Sequence, residues 1–151
     1  MCRETREKGE HMTGEFHTMK GYGETKAGPS PAMEDYLEMI CRLQKLGKVP
    51  RVRALAEALN VRPPSASRMV RQLCAAGYGE AEPYGCIRLT EAGRALGEYL
   101  LFRHETVHRF LCTLNHTTDE LTCAERIEHF LPRHTVENLA RLTEWLTAQE
   151  R

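Results

Sequence analysis

Residues 51–90 read RVRALAEALNVRPPSASRMVRQLCAAGYGEAEPYGCIRLT. Val52, Leu55, Ala56 and Leu59 have the spacing of one short amphipathic helix, and Asn60-Val61-Arg62 leaves room only for a tight connection. Pro63-Pro64-Ser65 opens a second helix, from about Pro64 to Ala76, with Ala66, Met69, Val70 and Leu73 inward and Gly77 as its stop. Two short helices joined so closely predict a helix-turn-helix. After Gly77 the period becomes that of strands. Tyr78 to Glu82 and Cys86 to Leu89 flank Pro83-Tyr84-Gly85 and predict a small wing, whose first strand Gly79 weakens.

Upstream, Ser30-Pro31 can cap a helix running to about Leu46, with Tyr36, Leu37, Ile40 and Leu43 as its stripe and Gly47 at its end. Downstream, Thr90 caps a long helix from Glu91 to about Leu114, with Leu96, Leu100, Val107, Leu111 and Leu114 aligned. Two further helices follow, about Thr118 to Leu131 and Thr135 to Ala148, separated by Pro132; Val136, Leu139, Leu142 and Leu146 align on the last. The first 28 residues carry five basic and five acidic side chains with no helical apolar period, so residues 1–29 are expected to be a disordered leader. The expected architecture is mainly α: a winged helix-turn-helix domain over 30–92 and a helical domain over 93–151.

At 151 residues, 41% hydrophobic and 28% charged, the chain can hold one or two small cores. No apolar run approaches the roughly 18 residues of a membrane span and no signal-peptide pattern opens it, so a soluble cytoplasmic protein without membrane contact is expected. Six cysteines without a C-x-x-C pair exclude zinc-finger and redox motifs and suit small apolar residues in a reducing compartment. Net charge is zero, yet five arginines stand against Glu57 alone between Arg51 and Arg71. A local excess of this kind is what a phosphate-contacting face needs. In a winged helix-turn-helix the second helix enters the major groove, so Pro64, Ser65, Ser67, Arg68 and Arg71 are the candidate DNA contacts there. Arg51, Arg53 and the wing residue Tyr84 are candidates for the backbone.

A second constellation surrounds this module. Asp35 and Glu38 are spaced i, i+3 on one helical face, as are Glu125, Glu128 and His129, and His104 lies midway along the long helix. Pooled carboxylates are costly unless cations neutralise them, and a mostly oxygen donor set suits a hard divalent ion such as Mn2+ or Fe2+. Blander roles stay open at each position. Glu125 can close a capping box with Thr122, Glu34 and Asp35 can sit favourably in a first helical turn, and His104, after Arg103, can be a surface histidine. A helical hairpin with solvated arginines and a winged-helix regulator that senses no metal are further alternatives. A dimetal enzyme is the rival from another class. Glu105-x-x-His108 has the form such enzymes use, but the second copy they need does not occur, and an enzyme is not expected.

Met33-Glu34-Asp35-Tyr36-Leu37-Glu38-x-Ile40, Leu55-Ala56-x-x-Leu59-x-Val61, Pro64-Ser65-x-Ser67-x-Met69-Val70-x-x-Leu73, Pro83-Tyr84, Leu89-Thr90-x-x-Gly93, Arg103-His104-Glu105 and Glu125-x-Ile127-Glu128-His129 together resemble the DtxR/MntR family of metal-dependent repressors. The resemblance runs from about Ala32 to Trp145. It implies a homodimer of winged-helix domains on a helical dimerisation domain, binding a palindromic double-stranded DNA operator. It also implies a two-ion site on Asp35, Glu38, His104, Glu125, Glu128 and His129, and repression of manganese-uptake genes. Iron-type members carry methionine and cysteine in place of Asp35 and Glu125, so oxygen donors at both positions favour Mn2+, with Fe2+ as the alternative. No SH3-like third domain is expected, and His108 is expected to face solvent, with a perturbation or extension of the metal site as the alternative.

Overall fold

The computed structural model describes residues 28–149, so the expected leader falls, apart from its last two positions, outside the described residues. Helix α1 spans Pro31–Lys45; Ser30 caps it by accepting the Met33 N–H at 3.3 Å, and Gly47 ends it at φ 69°. Helices α2 (Val52–Ala58) and α3 (Pro63–Ala75) are the expected pair, with Asn60 at φ 52° turning the chain between them. Strands β1 (Gly79–Ala81) and β2 (Ile87–Leu89) pair antiparallel, Gly79 opposite Leu89. The turn between them is a 3-10 segment, Pro83–Gly85, in which Tyr84 takes φ 62° and is almost wholly exposed. The wing is tied to the start of α2: the Ile87 N–H donates to the Pro50 carbonyl at 3.0 Å, and Arg51 bridges Cys86. Leu37 and Ile40 of α1, Leu55 of α2, Ala66 and Leu73 of α3 and Ile87 and Leu89 of the wing share one core.

The same core includes Leu100 and Leu101 of α4 (Glu91–Asn115), whose 25 residues extend for about 37 Å. Thr90 caps α4, accepting the Gly93 N–H at 3.1 Å while its own hydroxyl donates to the Gly77 carbonyl at 2.7 Å. Two glycines let α4 seat. A Cβ at Gly93 would lie 1.8 Å from the Tyr78 carbonyl oxygen, and one at Gly97 would lie 2.3 Å from Cys41 Sγ and 3.1 Å from the Leu37 carbonyl. Gly97 is therefore where α4 crosses α1 backbone to backbone. Beyond the crossing, Val107 and Leu111 pack on Ala124 of α5 (Leu121–Ile127) in a second, smaller core. A 3-10 turn, Glu128–Phe130, follows, and α6 (Arg133–Gln149) returns along α4. No described helix is long and apolar enough to cross a membrane.

Three expectations are corrected. The single helix expected over Thr118 to Leu131 begins only at Leu121 and tightens to 3-10 geometry at Glu128. Asp119 Oδ1 accepts the Leu121 N–H at 3.0 Å and holds the preceding residues out of the helix, while Pro132 disfavours helical geometry at Leu131. Thr122 consequently lies inside the helix, and the residue at its start, Glu120, makes no side-chain cap, so no capping box engages Glu125. His108 does not simply face solvent: it is half-buried, and its Nε2 accepts the Glu120 N–H at 3.2 Å.

Gly97→Val should lower stability by about 2–3 kcal/mol, because the added carbons meet the buried Cys41 Sγ and the Leu37 carbonyl, so that α1 must shift. Thermal unfolding of the metal-free protein reads this as a lowered Tm; an unchanged Tm would show that the crossing is not tight.

Candidate metal centre and DNA-facing surface

Three helical segments project side chains into one cavity of about 400 Å³. Its lining includes all six residues singled out as candidate ligands: Asp35 and Glu38 from α1, His104 from α4, and Glu125, Glu128 and His129 from the α5 segment. The inner end is buried. Ligand atoms of Glu38, His104 and Glu128 lie within 4.8 Å of one another, with His104 Nδ1 at 3.0 Å from Glu128 Oε2 and 3.8 Å from Glu38 Oε1. The outer end is more open: His129 Nε2 lies 3.2 Å from Asp35 Oδ1 and 4.0 Å from Glu128 Oε1, with the Asp35 side chain 48% exposed. Glu128 therefore offers one oxygen to each end. Glu125 lines the cavity but is exposed. His104 is buried, not a surface histidine.

Two residues outside the expected set organise this cavity. Glu34 Oε2 lies 2.8 Å from His129 Nδ1 and accepts a 2.7 Å hydrogen bond from Arg103, which is almost fully buried. A carboxylate this close places the ring proton on Nδ1, so the 3.1 Å approach of Arg103 to that nitrogen is a packing contact. Nε2 faces Asp35 and the cavity and carries the second proton of the imidazolium; it is the nitrogen a cation would free by displacing that proton, the orientation that second-shell carboxylates impose on metal-binding histidines. The sequence showed Glu34 only as a first-turn acid. The 69 residues separating it from Arg103 hide the pairing from any local spacing rule.

The electrostatics are those of a cluster short of positive charge. Burial raises the Glu38 carboxyl and, with the like charge of Glu128, outweighs the help of His104 and Arg42. The hydrogen bond from Glu128 raises His104 despite its burial. Asp35 and then Glu34 raise His129 to about 9 against its own desolvation. Burial works to raise Glu34, but its bonds to His129 and Arg103 prevail and hold it below the usual carboxylate range. The donor set suits a divalent cation: mainly carboxylate oxygen with two imidazoles, no sulfur, and protons on histidines that a cation would displace.

Of the candidate DNA contacts, Pro64, Ser65, Arg68 and Arg71 are exposed on α3, whereas Ser67 is half-buried. Arg51, Arg53 and Tyr84 line a groove of about 890 Å³ between α2 and the wing. Arg53 lies 3.0 Å from Glu57 in an exposed pair, and Arg88 on the wing pairs with Glu80 and Glu82. The start of α3 offers few free amides to a phosphate: Pro63 and Pro64 have none, and the Ser65 and Ala66 N–H groups donate to the Arg62 carbonyl. Side chains must make the contacts there.

Because the folded-state pKa of His129 lies above its ordinary 6.5, its bonds contribute stability fully below about 6.5, and that contribution is lost as pH rises through about 9. Chemical denaturation of the metal-free protein between these pH values should show stability falling with pH, and His129→Gln should flatten the trend. Parallel profiles for the two proteins would contradict the assignment.

The family profile for the N-terminal DNA-binding domain of iron dependent repressors matches residues 30–87, and the profile for their metal binding and dimerisation domain matches residues 90–149. The HTH-type transcriptional regulator MntR of Oceanobacillus iheyensis is 36% identical over 118 residues, covering 78% of this chain and 80% of that protein. MntR of Geobacillus kaustophilus is 35% identical over 124 residues, covering 82% and 88%. Among solved structures, the manganese regulator SloR superposes with a TM-score of 0.66 at 26% identity, covering 75% of this chain and 54% of that one. ScaR with bound Zn2+ superposes at 0.60 and 28% identity, with the same coverages. The chain thus spans about half the length of these two structures. With both domains matched in order and 36% identity over 118 aligned residues to a transcriptional regulator, the chain belongs to the iron-dependent repressor family of metal-dependent, DNA-binding transcriptional regulators.

Proposed function

We propose that the chain is a manganese-responsive repressor that binds operator DNA as a homodimer when the divalent ion is plentiful, in the cytoplasm, and acts on manganese-uptake genes. The observation that carries this reading is the convergence of Asp35, Glu38, His104, Glu125, Glu128 and His129 on one cavity whose α1 wall belongs to the winged-helix core. Residues 30–92 form the DNA-binding unit and 93–151 the metal-binding and dimerisation unit. When bound, divalent cations supply the positive charge that four carboxylates lack. Glu38, His104 and Glu128 would hold an inner ion, and Asp35, Glu125 and His129, with Glu128, would hold an outer one, giving two ions per subunit. Oxygen donors at positions 35 and 125 favour Mn2+ over softer ions, and Fe2+ is the second candidate.

The chain's own residues then do the coupling. Asp35 and Glu38 join α1 to His104 on α4 and to the Glu128–His129 turn, fixing the winged domain against the helical one. That fixed placement sets the spacing of two α3 helices in a dimer, so a palindromic operator matches it. Ser65, Ser67, Arg68 and Arg71, beside Pro64, face the major groove, and Arg51, Arg53 and Tyr84 approach the phosphate backbone from the α2–wing groove. Leu142 and Trp145 on α6, 44% and 58% exposed, and Phe102 on α4, 40% exposed, supply apolar surface for the partner subunit.

The test is fluorescence anisotropy on a duplex selected from a randomised pool with Mn2+-loaded protein. Mn2+ should tighten binding by at least about tenfold, within the usual range of allosteric coupling. Asp35→Ala and His129→Ala should lose this dependence while retaining their helical circular dichroism. Equal binding in chelator, or unchanged metal dependence in both variants, would overturn the switch.

A further inference from the structure

The cavity contains a cation that the metal-binding reading does not use. Arg42 lies one turn beyond Glu38 on α1, and its guanidinium approaches Glu38 Oε1 to 2.6 Å. This is the same oxygen that lies 3.8 Å from His104 Nδ1 and borders the inner cluster. Arg42 also lines the cavity with the six candidate ligands. The local charges explain why it would settle there. Glu38 and Glu128 are both buried and share one small volume, and an arginine neutralises that volume in the way an ion would. Yet its hold is partial: the Arg42 Nε is buried without a hydrogen-bond partner, and the side chain is 39% exposed. It has somewhere else to go. Arg42 also lines a neighbouring cavity of about 470 Å³ whose walls include Glu105 and Asp119.

We propose that Arg42 is the resident counter-cation of the inner metal position, and that an ion enters there only as the guanidinium leaves Glu38. The inference rests on the metal-centre reading and deepens it. Four ligand carboxylates match two divalent ions in charge, and Glu34 and Arg103 neutralise each other, so Arg42 is a surplus positive charge once both ions are bound. The consequence is unequal loading. The outer position, built on Asp35, Glu125 and His129, fills without disturbing Arg42, whereas the inner position must displace it. Arg42 thus acts as a positioning residue that raises the ion concentration at which the cluster is complete.

Calorimetric titration of Mn2+ into the full chain tests this, comparing the wild type with Arg42→Leu and Arg42→Lys. The wild type should show one tight and one weaker step. Arg42→Leu should tighten the weaker step roughly tenfold or more, the scale expected for removing one like charge from a partly buried site, and leave the tight step in place. Arg42→Lys, which keeps the charge, should retain the unequal steps. Arg42→Leu should also lower the Tm of the metal-free protein, because Glu38 loses its partner. A folding defect would weaken Mn2+ binding, so tightening cannot arise from one. Two wild-type-like steps in Arg42→Leu would overturn the role of Arg42 while leaving the metal centre intact. No Mn2+ binding by any of the three would overturn the metal centre and this proposal with it.

Discussion

Everything in this molecule turns on the burial of Glu128 beside Glu38. Glu128 is 2% exposed, and taking two neighbouring carboxylates out of water is expensive unless opposite charge accompanies them. In the metal-free chain that charge comes from His104, Arg42 and the protonated His129. Each is drawn from a different element, so satisfying the carboxylates requires α1, α4 and the turn after α5 to meet. The glycine at position 97 makes the meeting possible, since any larger residue would hold α4 away from Cys41 and Leu37. Two turns further along α4, His104 arrives opposite Glu38. The fold therefore maintains a site suited to a divalent cation, with His104, Arg42 and His129 set against its carboxylates.

Helix α1 has two roles at once. Its inner face, Leu37 and Ile40, belongs to the core that also seats the DNA-facing helix α3 through Ala66 and Leu73. Its opposite edge carries Asp35 and Glu38 into the cluster. The proposed switch would thus reach the wing and α3 through α1 itself, without a separate relay. Such an arrangement needs only a shift in population between loosely and firmly joined states. Glu34 and Arg103 limit the freedom of the outer end by setting which His129 nitrogen faces inward.

Most of the fold was legible because its elements are punctuated. Ser30-Pro31, Gly47, Pro63-Pro64, Gly77 and Thr90 each mark a boundary within a residue or so of where the structure places it. The α5 region was misread because its apolar spacing continues through residues that Asp119 and Pro132 exclude from a regular helix. Helical i, i+3 and i+4 spacing grouped acids and His129 that line one cavity, although Glu128 and His129 sit in a 3-10 turn. Helical spacing also permits the i, i+4 pair of Arg42 with Glu38 within α1, but it could not show the long-range contacts: Glu34 with His129 and Arg103, and His108 with the Glu120 amide. These contacts join residues by tertiary packing and leave no periodic trace. The proline pair that opens α3 was visible, but its effect of removing amide donors emerged only with the local hydrogen bonds.

Reciprocity tests the central claim most directly. If one set of states links the cluster to α3, Mn2+ and DNA must strengthen each other's binding by the same factor, as thermodynamic linkage requires. Mn2+ affinity should therefore be measured with and without saturating selected duplex. The account predicts that DNA tightens Mn2+ binding by the factor by which Mn2+ tightens DNA binding. Identical Mn2+ affinity in the presence and absence of DNA would mean that the cluster and the DNA-facing surface are not coupled.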